Sequence, residues 1–229
     1  MYFSCLRASL ALTIMASLTL SAGSASLAQT AFEAKPPVAP EEGGPRRWVV
    51  VGADVQLQSK PSSAAEVIRL FEKGEILSND GCREAGHQIW CNVRSFRGGR
   101  GGFVGFQNLQ PARGPDGIVP MGVDDSRRRA GKRDFDAKSK IACAQERGQA
   151  LGSCEAATAQ SDGGDATVVV KFPNGFQRKL YFIHGEFVRA SATMSGVGTD
   201  FAWNLTDDLY SIRVDDQRFE LPIRLVFED

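Results

Sequence analysis

The sequence predicts an all-β protein in which two small antiparallel β domains follow one another along the chain. Short segments of β-branched and aromatic residues recur, several alternate between apolar and polar residues, and turn-forming residues separate them. The composition is that of an ordinary globular protein, with 42% hydrophobic and 24% charged residues. The 229 residues are enough for one or two domains.

The charge balance argues against a nucleic-acid-binding protein. The chain has 27 Lys and Arg residues and 27 Asp and Glu residues, so its formal net charge is zero. One basic run, SRRRAGKR at 126–133, is flanked by aspartates and contains no aromatic residue that could stack on a base. We expect a solvated linker there, with attraction to an anionic surface as the alternative.

The first 28 residues have the layout of a secretory signal peptide. Arg7 precedes an apolar run at 8–20, and small residues follow, with Ser26 and Ala28 at the −3 and −1 positions. The apolar run is shorter than the ~20 residues of a membrane span. We expect cleavage after Ala28, a periplasmic or secreted protein, and no integral membrane span in the mature chain.

Cysteine spacing supports export. Cys5 falls within the signal peptide, and the remaining four cysteines form two local pairs. We predict the disulfides Cys82–Cys91 and Cys143–Cys154, each closing a loop of roughly ten residues worth about 2.5–3 kcal/mol. Two pairs of free thiols are the alternative.

Composition shifts divide the mature chain into four parts. Residues 29–46, rich in Pro, Gly and Glu, predict a flexible tether. Residues 47–112 and 141–229 carry the β patterns, and residues 113–140 between them predict a linker. Two domains of this size are marginal alone, so one disulfide in each would supplement its core.

In the first domain, turn residues separate the predicted strands. These are WVVV at 48–51, VQLQS at 55–59, VIRLF at 67–71, EILSND at 75–80, IWCNVRS at 89–95 and GFVGF at 102–106. A loop is expected between Cys82 and Cys91, and a glycine turn near 98–102. Short strands at this spacing predict a small barrel or sandwich.

The order and spacing of three segments resemble the bacterial SH3 (SH3b) domain family. They are VQLQSKPSSAAEVIRLFEKGEIL at 55–77, IWCNVRS at 89–95 and GGFVGFQNL at 101–109. The chain departs from that pattern at Gln58, where arginine is usual, and at Phe103, where tryptophan is usual. The resemblance implies a half-open SH3-like barrel that binds peptidoglycan peptides or partner proteins of the cell envelope.

Such a barrel binds ligands where aromatic side chains and a long loop meet in a shallow groove. The candidate ligand-binding residues are Trp90, Arg94, Phe96, Arg97, Arg100 and Phe106, with Phe103 as a further aromatic. Guanidinium groups can bind ligand carboxylates through two parallel hydrogen bonds. The alternatives are that Trp90 and Phe103 belong to the core and that the segment 94–102 is a solvated hairpin tip.

Turn-forming residues also separate the predicted strands of the second domain. KIACA at 140–144 fits either a strand or a short helix, and clearer strands follow: TVVVKF at 167–172, FQRKLYFI at 176–183, EFVRASAT at 186–193, FAWNL at 201–205, LYSIRV at 209–214 and RFELPIRLVF at 218–227. In the last segment, alternation from Phe219 to Phe227 predicts one buried face, while Pro222 predicts an edge or a break. This antiparallel meander resembles an uncharacterised β module of envelope proteins, which implies no activity.

No sequence pattern indicates catalysis. The motifs G-x-S-x-G, H-E-x-x-H, Walker A, G-x-G-x-x-G and C-x-x-C are absent, and the two histidines, His87 and His184, each adjoin a glycine. We expect no cofactor and no metal site. The prediction is an exported, non-enzymatic protein that binds a cell-wall peptide or an envelope protein.

The main alternative is a periplasmic protein-interaction or hydrolase-inhibitor protein. Its loop at 94–102 would donate arginine hydrogen bonds to an acidic cleft. A hydrolase whose carboxylates meet only in the folded chain also stays open.

Overall fold

The computed structural model describes residues 36–192 and 200–227. Fifteen strands in these ranges pair in antiparallel fashion into two sheets, with one short α-helix between them along the chain. The predicted all-β class with two β domains is confirmed. The predicted signal peptide at 1–28 and the start of the predicted tether at 29–35 lie outside the described residues.

The first sheet has seven strands. They are β1 (Arg47–Val50), β2 (Val55–Gln58), β3 (Val67–Phe71), β4 (Ile76–Ala85), β5 (Gln88–Ser95), β6 (Gly102–Gly105) and β7 (Leu109–Pro111). Their order across the sheet is β3-β2-β6-β5-β4-β1-β7. All seven contribute to one apolar cluster, around which the sheet therefore curves: Trp48, Val50, Val55, Leu57, Phe71, Leu77, Cys91, Val93, Val104 and Leu109.

The second sheet has eight strands and follows α1 (Ser126–Gly131). They are β8 (Ala137–Ala144), β9 (Gly152–Ser161), β10 (Asp165–Lys171), β11 (Gln177–Ile183), β12 (Glu186–Ala190), β13 (Phe201–Thr206), β14 (Leu209–Val214) and β15 (Gln217–Pro222). Their order is β12-β11-β10-β9-β8-β15-β14-β13. The end strands of this sheet, β12 and β13, come close to each other: the rings of Phe187 and Phe201 meet edge to face with centroids 5.3 Å apart.

Both predicted disulfides are present, and they brace neighbouring strands. Cys82 and Cys91 are directly opposite each other on β4 and β5. Cys143 and Cys154 join β8 and β9. The loop expected between Cys82 and Cys91 is instead a hairpin whose turn spans only 86–87, since both strands continue past the cysteines.

The last predicted strand is shorter than its alternation suggests. Phe219 and Leu221 are buried as predicted, but β15 ends at Pro222 and residues 223–225 form a 3-10 turn. Proline has no N–H for the ladder, and the next amide, that of Ile223, donates to the carbonyl oxygen of Asp208 at 2.8 Å. The break expected at Pro222 is therefore confirmed, whereas the continuation of the strand to Phe227 is wrong.

The range predicted as a linker, 113–140, contains α1 and the first half of β8. The segment KIACA is therefore a strand. The helix rests on the second sheet, where the Ser126 and Thr167 hydroxyls are 3.0 Å apart and Ala130 is buried. Part of the basic run is thus packed against the fold instead of solvated.

The second half of the predicted tether also makes ordered contacts. The side-chain amide of Asn79, itself buried on β4, donates to the carbonyl oxygens of Val38 and Pro45 at 2.9 and 2.8 Å. The amide of Cys82 donates to the carbonyl oxygen of Pro37. The Pro- and Gly-rich composition predicts flexibility, because composition gives no sign of hydrogen bonds to a distant residue. Here that residue is Asn79, more than thirty positions away.

A buried carboxylate, Asp165 at the start of β10, joins the two sheets. It accepts hydrogen bonds from the guanidinium groups of Arg46 (3.0 Å) and Arg47 and from the backbone N–H of His184 (3.0 Å). Asp165 and Arg47 are 1% and 4% exposed at their side chains. Both sheets accordingly belong to one compact unit of the chain.

Within the described ranges, no helix has both the length and the apolar character needed to cross a membrane.

Candidate functional site

A pocket of about 310 Å³ opens on the first sheet beside β2, β5 and β6. We call it the amide pocket, because five Gln and Asn side chains line it. Its lining comprises Ala53, Asp54, Val55, Gln56, Gln58, Ser63, Gln88, Trp90, Gly105, Gln107 and Asn108.

Strand alternation explains why polar residues face this pocket. Leu57 on β2 and Cys91 on β5 point into the apolar cluster, so their neighbours Gln56 and Trp90 point the other way. Across the β5–β6 ladder, Trp90 is paired with Gly105. A side chain at that glycine would bring its Cβ within 2.6–2.9 Å of the Gln107 amide, so glycine keeps this wall open.

Gln58 is the residue that most clearly marks the pocket as a binding site. It is 3% exposed, its Nε2 donates to Gln56 Oε1 at 2.8 Å, and its own Oε1 has no hydrogen-bond partner among the described residues. An unpaired buried polar atom costs about 1–3 kcal/mol. The oxygen is fully enclosed where it stands, so a ligand N–H recovers that free energy once the Gln58 side chain turns toward the pocket.

The electrostatics of the pocket are mild. Asp54 is the one charged residue among those that line it, and it is exposed at the rim. The remaining polar groups are amides and a hydroxyl, which both donate and accept hydrogen bonds. The arrangement can therefore bind a ligand that carries peptide groups and, at its edge, an amine.

Of the predicted ligand-binding residues, Trp90 lies in this pocket. It is 6% exposed and stands apart from the main apolar cluster of the first sheet, so its indole forms a wall of the pocket. Phe106 instead packs against that cluster, edge to face with Trp48 at a centroid distance of 5.7 Å. Phe103 lies beneath the Arg83 guanidinium at 4.8 Å.

The predicted arginine-rich loop is partly engaged within the molecule. Arg97 binds both carboxylate oxygens of Glu186 on β12, with contacts from 2.6 to 3.1 Å, and these bonds raise the pKa of Arg97. Phe96 lies 6.3 Å from the His184 ring, between centroids. Arg94 pairs with Asp80 at 3.2 Å, and Arg100 is exposed. The structure thus does not gather the predicted residues into one groove.

Sequence reasoning missed the amides of the pocket. The signal was present in VQLQS, whose two glutamines occupy the polar positions of an alternating strand. Gln58 was noted only as a departure from the family pattern. Its burial depends on how β2 packs beside β6, which no local pattern records.

The two histidines lie outside the amide pocket. His87 is in the β4–β5 turn, and His184 lies in the β11–β12 turn with a positive φ of 54°. Burial, together with the nearby positive charge of Arg47, lowers the pKa of His184. Among the described residues, no group of three His, Cys, Asp or Glu side chains is placed to hold a metal ion.

Comparison with models of known families, with curated proteins and with solved structures finds no match to this chain.

Proposed function

We propose that this is an exported, non-enzymatic protein that binds a peptide of the cell wall in its amide pocket. The observation that carries the proposal is the unpartnered Oε1 of buried Gln58, which needs an N–H donor. A peptide group supplies that donor. Its carbonyl can in turn accept from the side-chain N–H groups of Gln88, Gln107 or Asn108.

The rim of the pocket favours a peptide that also carries an amine. Asp54 places a carboxylate there, and no basic residue belongs to the lining. The stem peptides of peptidoglycan combine backbone amides with a free amine and so match both features, while their carboxylates stay in solvent because no basic residue lines the pocket. The resemblance of residues 47–112 to bacterial SH3 domains implies the same class of ligand.

Two further observations support export and a binding role. Both disulfides are formed, as is usual in oxidising compartments outside the cytosol. Arg97, one of the three arginines in the loop that the hydrolase-inhibitor alternative uses, already binds Glu186 within the molecule. Its guanidinium would have to leave that carboxylate before it could enter the cleft of another protein.

The test is a titration of a soluble stem tetrapeptide into the purified protein, followed by calorimetry. Gln58→Leu should weaken binding about three- to tenfold, because one hydrogen bond worth about 0.5–1.5 kcal/mol is lost. The fold should stay intact, because leucine is of similar size and the acceptor that loses its Gln58 donor, Gln56 Oε1, belongs to an exposed side chain that can bind water.

Gln110→Leu is the matched control, because Gln110 is exposed on β7 and lies outside the amide pocket. It should bind the tetrapeptide like the parent protein. Absence of measurable binding by the parent protein, or equal affinity in the Gln58→Leu and parent proteins, would contradict the proposal.

A further inference from the structure

The second sheet carries a separate groove of about 870 Å³ on its outer face, beside α1. We call it the basic groove. Its lining residues are Ala130, Gly131, Arg133, Phe135, Lys138, Ser139, Lys140, Glu155, Ala156, Ala157, Val169, Lys171, Gln177 and Lys179. Five are basic and one is acidic, although residues 126–229 as a whole hold 15 Lys and Arg and 15 Asp and Glu.

Strand register arranges the charged residues in two rows across four strands. The first row runs Lys138, Ala157, Val169, Lys179, and the second runs Lys140, Glu155, Lys171, Gln177. At about 4.8 Å between strands, the lysines stand roughly 14 Å apart in the first row and about 10 Å apart in the second. The groove therefore has cationic sides and a small apolar floor.

The helix and the segment after it close one side of this groove. Ala130, Gly131, Arg133 and Phe135 form that wall. The helix is fixed to the sheet because the Arg127 guanidinium lies 4.8 Å from the centre of the Tyr181 ring and Ser126 contacts Thr167. The groove is thus defined by two elements that are packed together, and it does not depend on a lone surface lysine.

We propose that the basic groove binds an acidic saccharide, a sugar chain that carries carboxylate or phosphate groups. The ammonium groups of Lys138 and Lys179 face the anionic substituents, and the floor of Ala157 and Val169 accepts the apolar face of a sugar ring. Glu155 is the reason for choosing a sugar over a simple polyanion. Its exposed carboxylate stands between Lys140 and Lys171, with Oε2 3.6 Å from the Lys171 Nζ, so it lowers the positive charge of this row. It also offers an acceptor oxygen that a sugar hydroxyl can use and a bare polyanion cannot.

Peptide strands and nucleic acids fit this groove less well. The backbone groups of the central strands β9 and β10 already pair on both sides, so a peptide cannot add to the sheet here. Phe135 is the one aromatic residue in the lining, which leaves no platform for successive bases. This site is independent of the amide pocket on the first sheet.

The experiment measures binding of trigalacturonate, maltotriose and tripolyphosphate to the full purified protein by calorimetry. Trigalacturonate should bind more tightly than tripolyphosphate, and its affinity should fall as the salt concentration rises. Maltotriose, which has no charge, should bind at least tenfold more weakly than trigalacturonate. Lys138→Ala with Lys179→Ala should weaken trigalacturonate at least tenfold. The matched double variant Lys60→Ala with Lys73→Ala, two exposed lysines of the first sheet, should stay within twofold of the parent.

Two variants separate the proposal from its competitors. Glu155→Leu should weaken trigalacturonate and tighten tripolyphosphate, because it removes both the hydroxyl acceptor and the repelling charge. Gln58→Leu should leave trigalacturonate binding unchanged, which keeps this result separate from that of the amide pocket. Tripolyphosphate or a single-stranded oligonucleotide binding as tightly as trigalacturonate, or Glu155→Leu tightening both anions, would overturn the proposal.

Discussion

Replacing Asp165 with asparagine tests the joint between the two sheets. The asparagine keeps the size of the side chain and one acceptor oxygen, but it leaves Arg47 charged and 4% exposed without its carboxylate. Nη1 of Arg47 already lacks a hydrogen-bond partner among the described residues, so no other acceptor is at hand. Removing one partner of a buried pair typically costs about 3–5 kcal/mol.

That loss is a large part of the whole stability, since domains unfold with about 5–15 kcal/mol. With a slope of about 2 kcal/mol per molar urea, a loss of about 4 kcal/mol moves the unfolding midpoint down by about 2 M. The assay is equilibrium urea unfolding at neutral pH, followed by tryptophan fluorescence. Trp48 reports on the first sheet and Trp203 on the second.

Asp216→Asn is the matched control, because it makes the same chemical change in an exposed pair. Asp216 and Arg147 are 56% and 85% exposed at their side chains, and such pairs contribute about 0–1 kcal/mol. If Asp165→Asn lowers the unfolding free energy by no more than Asp216→Asn does, the buried pair does not hold the two sheets together and the reasoning is wrong.

Three further predictions concern the second sheet and its turn. Tyr210→Phe should lower the free energy of unfolding by about 0.5–1.5 kcal/mol in urea, because the buried hydroxyl donates to the Gly185 carbonyl oxygen at 2.6 Å. Replacing Cys143 and Cys154 together by alanine should cost about 2–4 kcal/mol in the same assay, and a stability equal to that of the parent would refute a bracing role. Burial lowers the pKa of His184, so the unfolded chain binds more protons below about pH 6.5 and stability should fall as the pH drops from 7 toward 5. His184→Asn, which suits the positive φ, should flatten that pH profile, and an unchanged profile would assign the slope to other groups.

The strands and the disulfides were predictable because their signals are local. Alternation in VQLQS and in the first half of RFELPIRLVF fixes which side chains point inward, and it does so without knowledge of the partner strand. Paired cysteines 9 and 11 positions apart need only a hairpin to meet, and β4–β5 and β8–β9 are such hairpins. The same locality explains the error beyond Pro222, where hydrophobic alternation continues but the ladder cannot.

The amide pocket was only half predictable. Trp90 was proposed as a ligand contact from an aromatic residue in a family-like strand, and it does line the pocket. Three of the glutamines come from β2 and β5, which lie on either side of β6, and the fourth, Gln107, lies in the 3-10 turn that follows β6. That neighbour relation depends on the sheet order β3-β2-β6-β5. A pocket formed by segments far apart in the sequence cannot be recognised from any one of them. A single outward-facing polar residue in an alternating strand can be predicted from the sequence.

The partners of charged residues were the least predictable feature, for an energetic reason. A guanidinium gains similar free energy from any well-placed carboxylate. An arginine in the sequence therefore predicts a carboxylate as its partner, but not which carboxylate of the chain or of a ligand. Arg97 was expected to meet a ligand carboxylate, yet Glu186, 89 positions later, supplies that carboxylate within the chain. Arg47 and Asp165 lie 118 positions apart, so no sequence pattern predicts their contact either. Because this pair is buried and the Arg97–Glu186 pair is exposed, breaking it costs more stability. Charge patterns can therefore propose a chemistry for this chain, but the tertiary structure decides which charges pair within the molecule, as Lys171 of the basic groove does with Glu155.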